Sequence, residues 1–177
     1  MKIKDNFLKQ EDFDEIEKLI MKPSNHTPPT PQFQWFFVDK IDYKEETVDK
    51  FQFVHVFYDD HNTASPHIEK IIPILELIQP LAIYRIKANL LTKTSKIIEN
   101  EFHTDFTMSE EKMKLWTTSI FYINTNNGYT KFEDGTKVES VANRMVTFPA
   151  NLKHTGTSCT DETTRVVINF NYFEKTL

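Results

Sequence analysis

From residue 81 onward the sequence is a succession of short runs rich in β-branched and aromatic residues, which is the composition of β-strands. The runs are LAIYRIKANLL, KIIENEFHTDF, WTTSIFYIN, YTKFED, TKVESVA, RMVTFP and TRVVINFNYF. Turn-forming groups separate many of them, such as Asn126-Asn127-Gly128, Asp134-Gly135 and Pro149-Ala150-Asn151. Short strands that recur about every 8–12 residues predict an antiparallel β-sandwich or barrel.

The first 80 residues contain helical as well as strand patterns. Residues 9–21 place apolar side chains at helical spacing and predict an amphipathic helix. Residues 33–38 and 51–58 are aromatic and predict strands, whereas four prolines in residues 22–32 exclude regular structure there. Ser65-Pro66 predicts the start of a second helix, interrupted at Pro73 and ended near Pro80. Because the helices precede most strands, we expect them to pack on one face of the sandwich.

Composition limits the classes of function. The chain has 177 residues, a length that fits a single domain, and its formal net charge of -5 gives no general attraction to nucleic acid or anionic lipid. A single cysteine, Cys159, excludes an intrachain disulfide and a zinc cluster of thiolates, and favours a reducing, cytoplasmic location. The most apolar stretch, IIPILELI, is short and contains Glu76, so no membrane span is expected.

The segment EFHTDF places His103 and Asp105 two residues apart in what the pattern predicts to be a strand. Side chains at that spacing point to the same face, so an imidazole and a carboxylate would lie side by side. His154 follows about four strands later, which is enough chain to return beside His103. Two histidines and one carboxylate on one side of a metal leave the other positions open, as in non-haem Fe(II) oxygenases.

The last strand adds a possible anion site. Alternation in TRVVINFNYF places Arg165, Val167, Asn169 and Asn171 on one face, and an apolar set on the other. A polar face inside a sandwich indicates a bound ligand. The planar guanidinium of Arg165 matches a carboxylate.

The order of these motifs, His-x-Asp, a distal histidine and then an arginine, resembles the Fe(II)/2-oxoglutarate-dependent oxygenases. The resemblance is greatest to the small prolyl-4-hydroxylase-like branch found in phages and marine bacteria, which is consistent with a viral or bacterial source. It covers residues 81–175 and includes FYIN, NGYTKFEDG and NRMVTFPANLKHTG. It implies one domain over residues 1–177, in which residues 81–175 form a mainly β, double-stranded β-helix (a cupin-like jelly-roll) and residues 1–80 supply buttressing helices and strands.

The resemblance also implies roles for individual residues. His103, Asp105 and His154 would hold Fe(II), and the co-substrate 2-oxoglutarate would chelate the metal and place its distal carboxylate on Arg165. Tyr122, in the YIN motif, matches a position that touches this carboxylate in relatives, and Asn89 matches a position near the co-substrate. The implied reaction consumes O2 and 2-oxoglutarate, hydroxylates a C–H bond, and releases succinate and CO2.

Several alternatives stay open from sequence. His-x-Asp pairs arise by chance, His154 taken alone is typical of a surface histidine, and Arg165 could pair with Asp161 or Glu162. A non-catalytic jelly-roll that binds a metal or small anion is the main rival, and a zinc hydrolase would need a general base that neither motif supplies.

The substrate could be a peptidyl proline or a small molecule. The related repair enzymes of nucleic acid carry a second arginine where this chain has Asn171, so no nucleic-acid partner is expected. Arg85 and Lys87 alternate with Asn89 and could line the mouth of the site or be solvated.

Overall fold

The computed structural model describes residues 1–22, 33–41 and 50–174, so most of the proline-rich segment, residues 23–32, lies outside the described residues. Its helical elements are α1 (Gln10–Met21), a 3-10 turn (Ile68–Ile71), α2 (Ile72–Ile78) and α3 (Glu110–Met113). The strands before α3 are β1 (Lys2–Lys4), β2 (Phe36–Val38), β3 (Gln52–Asp59), β4 (Asn62–Thr63) and β5 (Ala82–Thr92). The later strands are β6 (Trp116–Tyr122), β7 (Tyr129–Phe132), β8 (Lys137–Glu139), β9 (Arg144–Pro149), β10 (His154–Gly156) and β11 (Thr164–Phe173).

The strands form two antiparallel sheets. The larger sheet has the order β1-β9-β6-β11-β5-β3-β2, with β4 paired to β3, and the smaller has the order β10-β7-β8. Sequence-distant strands are neighbours in both sheets, and β11 lies between β5 and β6. The prediction of a mainly β jelly-roll with N-terminal helices is therefore confirmed.

The larger sheet buries a different core on each face. Its outer face packs on α1 and α2, and this core includes Phe13, Ile16, Ile74, Phe121 and Ile168. Its inner face packs on the small sheet through Ile120, Tyr122, Phe132, Val138 and Phe148. Alternation along β11 explains the division, because even-numbered residues join the helix-side core while Arg165, Val167, Asn169 and Asn171 face inward. The inner face therefore carries the polar groups.

The helical predictions hold with adjusted bounds. Helix α1 covers the predicted segment, and the predicted Ser65 cap accepts a 3.0 Å hydrogen bond from the backbone N–H of His67. The chain then makes a 3-10 turn before α2, in whose first turn Pro73 needs no N–H donor. None of the helices in residues 1–22, 33–41 and 50–174 is long and apolar enough to cross a membrane.

The strand predicted around EFHTDF is wrong. Residues 96–106 belong to no strand and form only two isolated bridges, Glu99 with Thr157 and His103 with His154. Backbone hydrogen bonds from Asn100 to Gly156 and from Ser158 to Ile98 hold this segment along the β10 region. The segment contacts the β10 region at intervals rather than as a continuous ladder.

Candidate active site

The three predicted metal ligands lie together at the meeting point of the 96–106 segment and β10. The backbone N–H of His103 donates to the carbonyl of His154, and the N–H of His154 donates to the carbonyl of His103. Both N···O distances are 3.0 Å. This bridge sets the two imidazole centroids 5.2 Å apart. Ligand atoms of His103, Asp105 and His154 all lie within 4.8 Å of one another. The structure thus brings together residues that the sequence separates by several strands.

A backbone carbonyl orients each imidazole by accepting a hydrogen bond from its Nδ1. Nδ1 of His103 lies 3.0 Å from the carbonyl oxygen of Glu101, and Nδ1 of His154 lies 3.3 Å from that of Leu152. Because a carbonyl only accepts, Nδ1 carries the proton in the neutral ring and Nε2 keeps its lone pair. The Nε2 atoms lie 3.9 and 3.7 Å from Oδ1 of Asp105, too far for hydrogen bonds. A cation held by these three atoms would take one lone pair from each.

Asp105 is buried, and two amides of β11 hold its carboxylate. Asn171 Nδ2 donates to Oδ2 over 2.8 Å, and Asn169 Nδ2 lies 3.3 Å from both oxygens. Burial acts to raise the pKa of Asp105, but the charge that His154 carries when protonated, the hydrogen bond from Asn171 and the charge of Arg85 outweigh it and hold the pKa below its usual value. The carboxylate is therefore anionic, as a metal ligand must be.

His154 completes a donor set that fits Fe(II). Burial lowers the pKa of His154 below the usual value, so the ring is neutral near pH 7 and its Nε2 can bind a metal. Two imidazole nitrogens and one carboxylate oxygen form the 2-His-1-carboxylate set of non-haem iron sites. The side chain of His103 is 28% exposed, whereas those of Asp105 and His154 are at most 5% exposed, so the triad opens on the His103 side.

Arg165 is a buried cation that pairs with no acidic side chain among the described residues. Its Nε donates to Ser140 Oγ over 2.7 Å and its Nη2 donates to Thr130 Oγ1 over 3.1 Å. Asp161, a salt-bridge partner considered from sequence, instead accepts the backbone N–H of Asn127. Burial lowers the pKa of Arg165, yet a guanidinium stays charged in proteins. A buried charge whose hydrogen bonds go only to hydroxyl groups favours an anionic ligand.

One cavity joins this arginine to the triad. Its lining includes His103, Asp105 and His154 together with Arg165, Thr130 and Asn89. Leu91, Ile120 and Val167 supply apolar walls between the polar groups. The predicted metal ligands and the predicted anion anchor therefore face the same cavity.

Asn89 and Tyr122 differ in their relation to this cavity. Asn89 lines it, as expected of a residue near a co-substrate. Tyr122 is fully buried behind Arg165, with the guanidinium 5.7 Å from the ring centroid, and its hydroxyl donates to Thr130 Oγ1 over 2.8 Å. Direct contact of Tyr122 or Asn89 with a carboxylate stays a prediction.

Several residues that shape the site carry no sequence signal. Thr130 and Ser140 lie in β7 and just after β8, and only the pairing of these strands brings them to Arg165. Gly128 lies against the same side chain, because a Cβ at this position would be 2.7 Å from Cδ of Arg165. For Asn169 and Asn171 the alternation of β11 was a usable signal, although it did not indicate Asp105 as their partner.

A second cavity adjoins the triad on the side of β3. It is lined by His103 and Asp105 and also by Arg85 and Lys87, the latter of which lines the first cavity too. Arg85 Nη2 donates to the backbone carbonyl of Asp105 over 2.7 Å. Burial, followed by the charge of Arg85, lowers the pKa of Lys87 to about 8. Both cations border the site and are not solvated surface residues.

The sequence matches no protein-family model and no curated protein. Solved structures similar to this one include a prolyl hydroxylase from Trichoplax adhaerens in complex with a hypoxia inducible factor oxygen degradation domain peptide fragment. It has a TM-score of 0.64 and 12% sequence identity, and the match covers 98% of this chain and 83% of that one. A 2OG-Fe(II) oxygenase family oxidoreductase from Burkholderia pseudomallei has a TM-score of 0.65 at 12% identity, over 97% and 83% of the two chains.

A third similar structure is the viral collagen prolyl hydroxylase from Paramecium Bursaria Chlorella virus-1, solved as a 2OG complex. It has a TM-score of 0.54 and 14% identity, over 99% of this chain and 96% of that one. Identity at this level establishes a shared fold and leaves function to the residues of the site. This chain therefore has the fold of prolyl hydroxylases and of a 2OG-Fe(II) oxygenase, which is the fold that its sequence motifs implied.

Proposed function

We propose that this protein is an Fe(II)- and 2-oxoglutarate-dependent oxygenase that hydroxylates a C–H bond. The observation that carries the proposal is the single cavity that holds both a His-Asp-His set and a buried arginine without an acidic partner among the described residues. A metal site alone fits many functions, and a buried arginine alone fits many anions. Their combination fits a metal-chelating co-substrate that has a second carboxylate.

In this proposal each polar group of the cavity has a separate task. His103, Asp105 and His154 hold Fe(II), while Asn169 and Asn171 orient the carboxylate of Asp105. Arg165 binds the distal carboxylate of 2-oxoglutarate, with Thr130 beside it and Tyr122 fixing Thr130 from behind. Asn89 lies within the same cavity and would contact the co-substrate.

The bound metal would supply the oxidising chemistry, in which O2 and 2-oxoglutarate are consumed and succinate, CO2 and a hydroxylated substrate are formed. The protein would supply orientation and a dry environment. The ring of Phe148 packs 4.9 Å from that of His154, and Phe132 packs 6.1 Å from it on the small-sheet side. These rings exclude water from the buried side of the metal site, so substrate would approach from the more exposed side of His103.

Two substrate classes are candidates for this chain. Two of the similar structures are named as prolyl hydroxylases, one in complex with a hypoxia inducible factor peptide fragment and the other a viral collagen prolyl hydroxylase. A peptidyl proline is therefore one candidate for this chain, and a small molecule is the other.

The single cysteine is a buried free thiol, which agrees with the proposed cytoplasmic location.

The decisive experiment is an anaerobic titration of the protein with Fe(II) and then 2-oxoglutarate. A visible charge-transfer band should form when 2-oxoglutarate chelates the metal. The variant His103→Ala should lose the band, and His61→Asn, an exposed turn residue, should keep it. Absence of the band in the native chain would contradict the proposal.

Release of succinate on admission of O2 would then separate an oxygenase from a non-catalytic binding protein. Activity restored by Fe(II) but not by Zn(II) would separate it from a hydrolase. A chain that forms the band but never releases succinate would support the binding protein instead.

A further inference from the structure

Arg85 and Lys87 lie on β5, which pairs with the strand β11 whose asparagines contact the carboxylate of Asp105. In the pairing of β5 with β11, Arg85 is opposite Asn171 and Lys87 is opposite Asn169. Both asparagines contact the carboxylate of Asp105, and Arg85 contacts its backbone carbonyl. Register therefore fixes the two cations beside the metal ligand. Arg165 lies farther along the ladder, opposite Leu91.

The two side chains carry positive charge that no direct salt bridge neutralises in the described part of the chain. Lys87 is half-buried and forms no hydrogen bond or salt bridge within the described part of the chain, and the carboxylates whose charges act on it are Asp105 and Asp59. Arg85 uses Nη2 for the carbonyl of Asp105, but its Nε is buried and lacks a hydrogen-bond partner. A buried donor without an acceptor destabilises the ligand-free protein. This destabilisation is removed when a ligand supplies the missing acceptor.

The cavity at these residues favours one kind of ligand. Its lining also includes apolar Val38, Ile41 and Val54, polar Gln52 and Thr104, and one exposed residue of each charge, Asp39 and Lys40. Asp105 is the remaining acid of the lining, and its charge is required by the metal. Arg165 and the metal account for both ends of 2-oxoglutarate. The charges of Arg85 and Lys87 are then left for the primary substrate.

We propose that Lys87 and Arg85 bind a carboxylate of the primary substrate, so that the enzyme hydroxylates a carboxylic acid whose apolar part lies against Val38 and Val54. This inference rests on the proposed function. A carboxylate matches the donors better than a phosphate does, because Arg85 already has one nitrogen committed to Asp105 and few donors remain. A peptidyl proline has no charge at its ring and would leave both cations unpaired.

The test uses the full chain loaded with Mn(II) in place of Fe(II) and with saturating 2-oxoglutarate. The probes are butyrate and its neutral analogue butyramide, and the readout is the relaxation enhancement that the paramagnetic metal produces in their methyl protons. Butyrate should bind near the metal in a saturable way and at least about tenfold more tightly than butyramide, as expected for a charge-assisted contact. Equal binding of the two probes would overturn the inference.

Variants assign the preference to Lys87. In Lys87→Met the affinity for butyrate should fall about tenfold, while Lys87→Arg should retain most of it. The matched control is Lys93→Met, an exposed lysine just after the same strand, which should bind butyrate as the native chain does. Unchanged butyrate binding in Lys87→Met would contradict the assignment.

The co-substrate provides the separate check on the proposed function. The methylene protons of 2-oxoglutarate should show strong relaxation enhancement when it binds the metal-loaded native chain. Absence of this enhancement would reject the proposed function itself. If 2-oxoglutarate binds but butyrate is not preferred, only the present inference fails. If Lys87→Met loses 2-oxoglutarate, Lys87 belongs to the co-substrate site and the inference is again overturned.

Discussion

The side-chain amide of Asn171 donates a 2.8 Å hydrogen bond to Oδ2 of Asp105, across the interior of the sandwich. The same strand carries Arg165, so β11 both supports the candidate metal carboxylate and supplies the candidate co-substrate anchor. Because neighbouring inward-facing residues of a strand are fixed relative to one another, the distance between metal and anchor is set by the strand itself. Substitutions on β11 can therefore separate the two tasks.

Replacing Asn171 with alanine should weaken metal binding without removing any ligand. The carboxylate of Asp105 would lose its shortest hydrogen bond, and supports of this kind are worth about 10–100-fold in metal affinity. We expect at least about a tenfold loss of Fe(II) affinity in an anaerobic titration. The control is Asn62→Ala on the exposed strand β4, and equal affinities in the two variants would contradict the role.

Replacing Arg165 with methionine should weaken 2-oxoglutarate binding while Fe(II) still binds. Loss of two charge-assisted hydrogen bonds, at about 1.5 kcal/mol each, corresponds to roughly a 100-fold increase in the Kd. The charge-transfer titration measures this Kd directly. Arg144→Met serves as the control, since Arg144 pairs with Asp5 away from the cavity. A normal affinity for 2-oxoglutarate in Arg165→Met would place the anchor elsewhere.

Gly128→Ala should disturb the anchor through packing. The added Cβ would lie 2.7 Å from Cδ of Arg165 and 2.8 Å from the backbone oxygen of Ser158, so the arginine or the chain must move. Overpacking of this kind costs about 1–3 kcal/mol, measurable by urea unfolding, and 2-oxoglutarate affinity should fall as well.

Gly135→Ala is an informative comparison for this substitution. Gly135 has a φ of 88° and open space around it, so alanine there strains only the backbone, at about 1–2 kcal/mol. It should lower stability but leave the affinity for 2-oxoglutarate unchanged. A loss of affinity in both variants would attribute the effect to global destabilisation.

The metal-free protein should lose stability as the pH falls below about 6.5. Burial lowers the pKa of His55 below the usual value of 6.5, and it does the same for His154. The unfolded chain therefore binds more protons than the folded chain in this window, and the free energy of unfolding decreases as the pH falls. Each histidine contributes up to about 1.4 kcal/mol per pH unit.

His55→Gln should reduce this pH dependence, whatever its effect on stability at neutral pH. His55 lies away from the metal ligands, where its ring contacts the carbonyl of Gln34 and the hydroxyl of Ser65. Urea unfolding at about pH 7.5 and about pH 5.5 measures the slope for the native chain and the variant. An unchanged slope in His55→Gln would show that His55 does not contribute.

Local patterns were enough for the elements with strong periodicity. The alternation in TRVVINFNYF correctly divided β11 into a polar inner face and an apolar outer face, because a strand cannot change the side of a residue without breaking its pleat. Helix α1 followed in the same way from the spacing of its apolar residues. Short elements such as β1 and α3 were missed, since their formation depends on contacts with β9 and with the loop that contains Phe106.

The sequence by itself determined the fold class and the identity of the candidate ligands, because strand periodicity and the order of His103, Asp105, His154 and Arg165 are properties of the chain. Tertiary structure decided how the site is held. The backbone bridge between His103 and His154, the amides that hold Asp105 and the hydroxyls that hold Arg165 all join residues far apart in sequence. Only strand pairing selects such partners, since hydrogen bonds across a sandwich depend on register and distance, which no local pattern encodes.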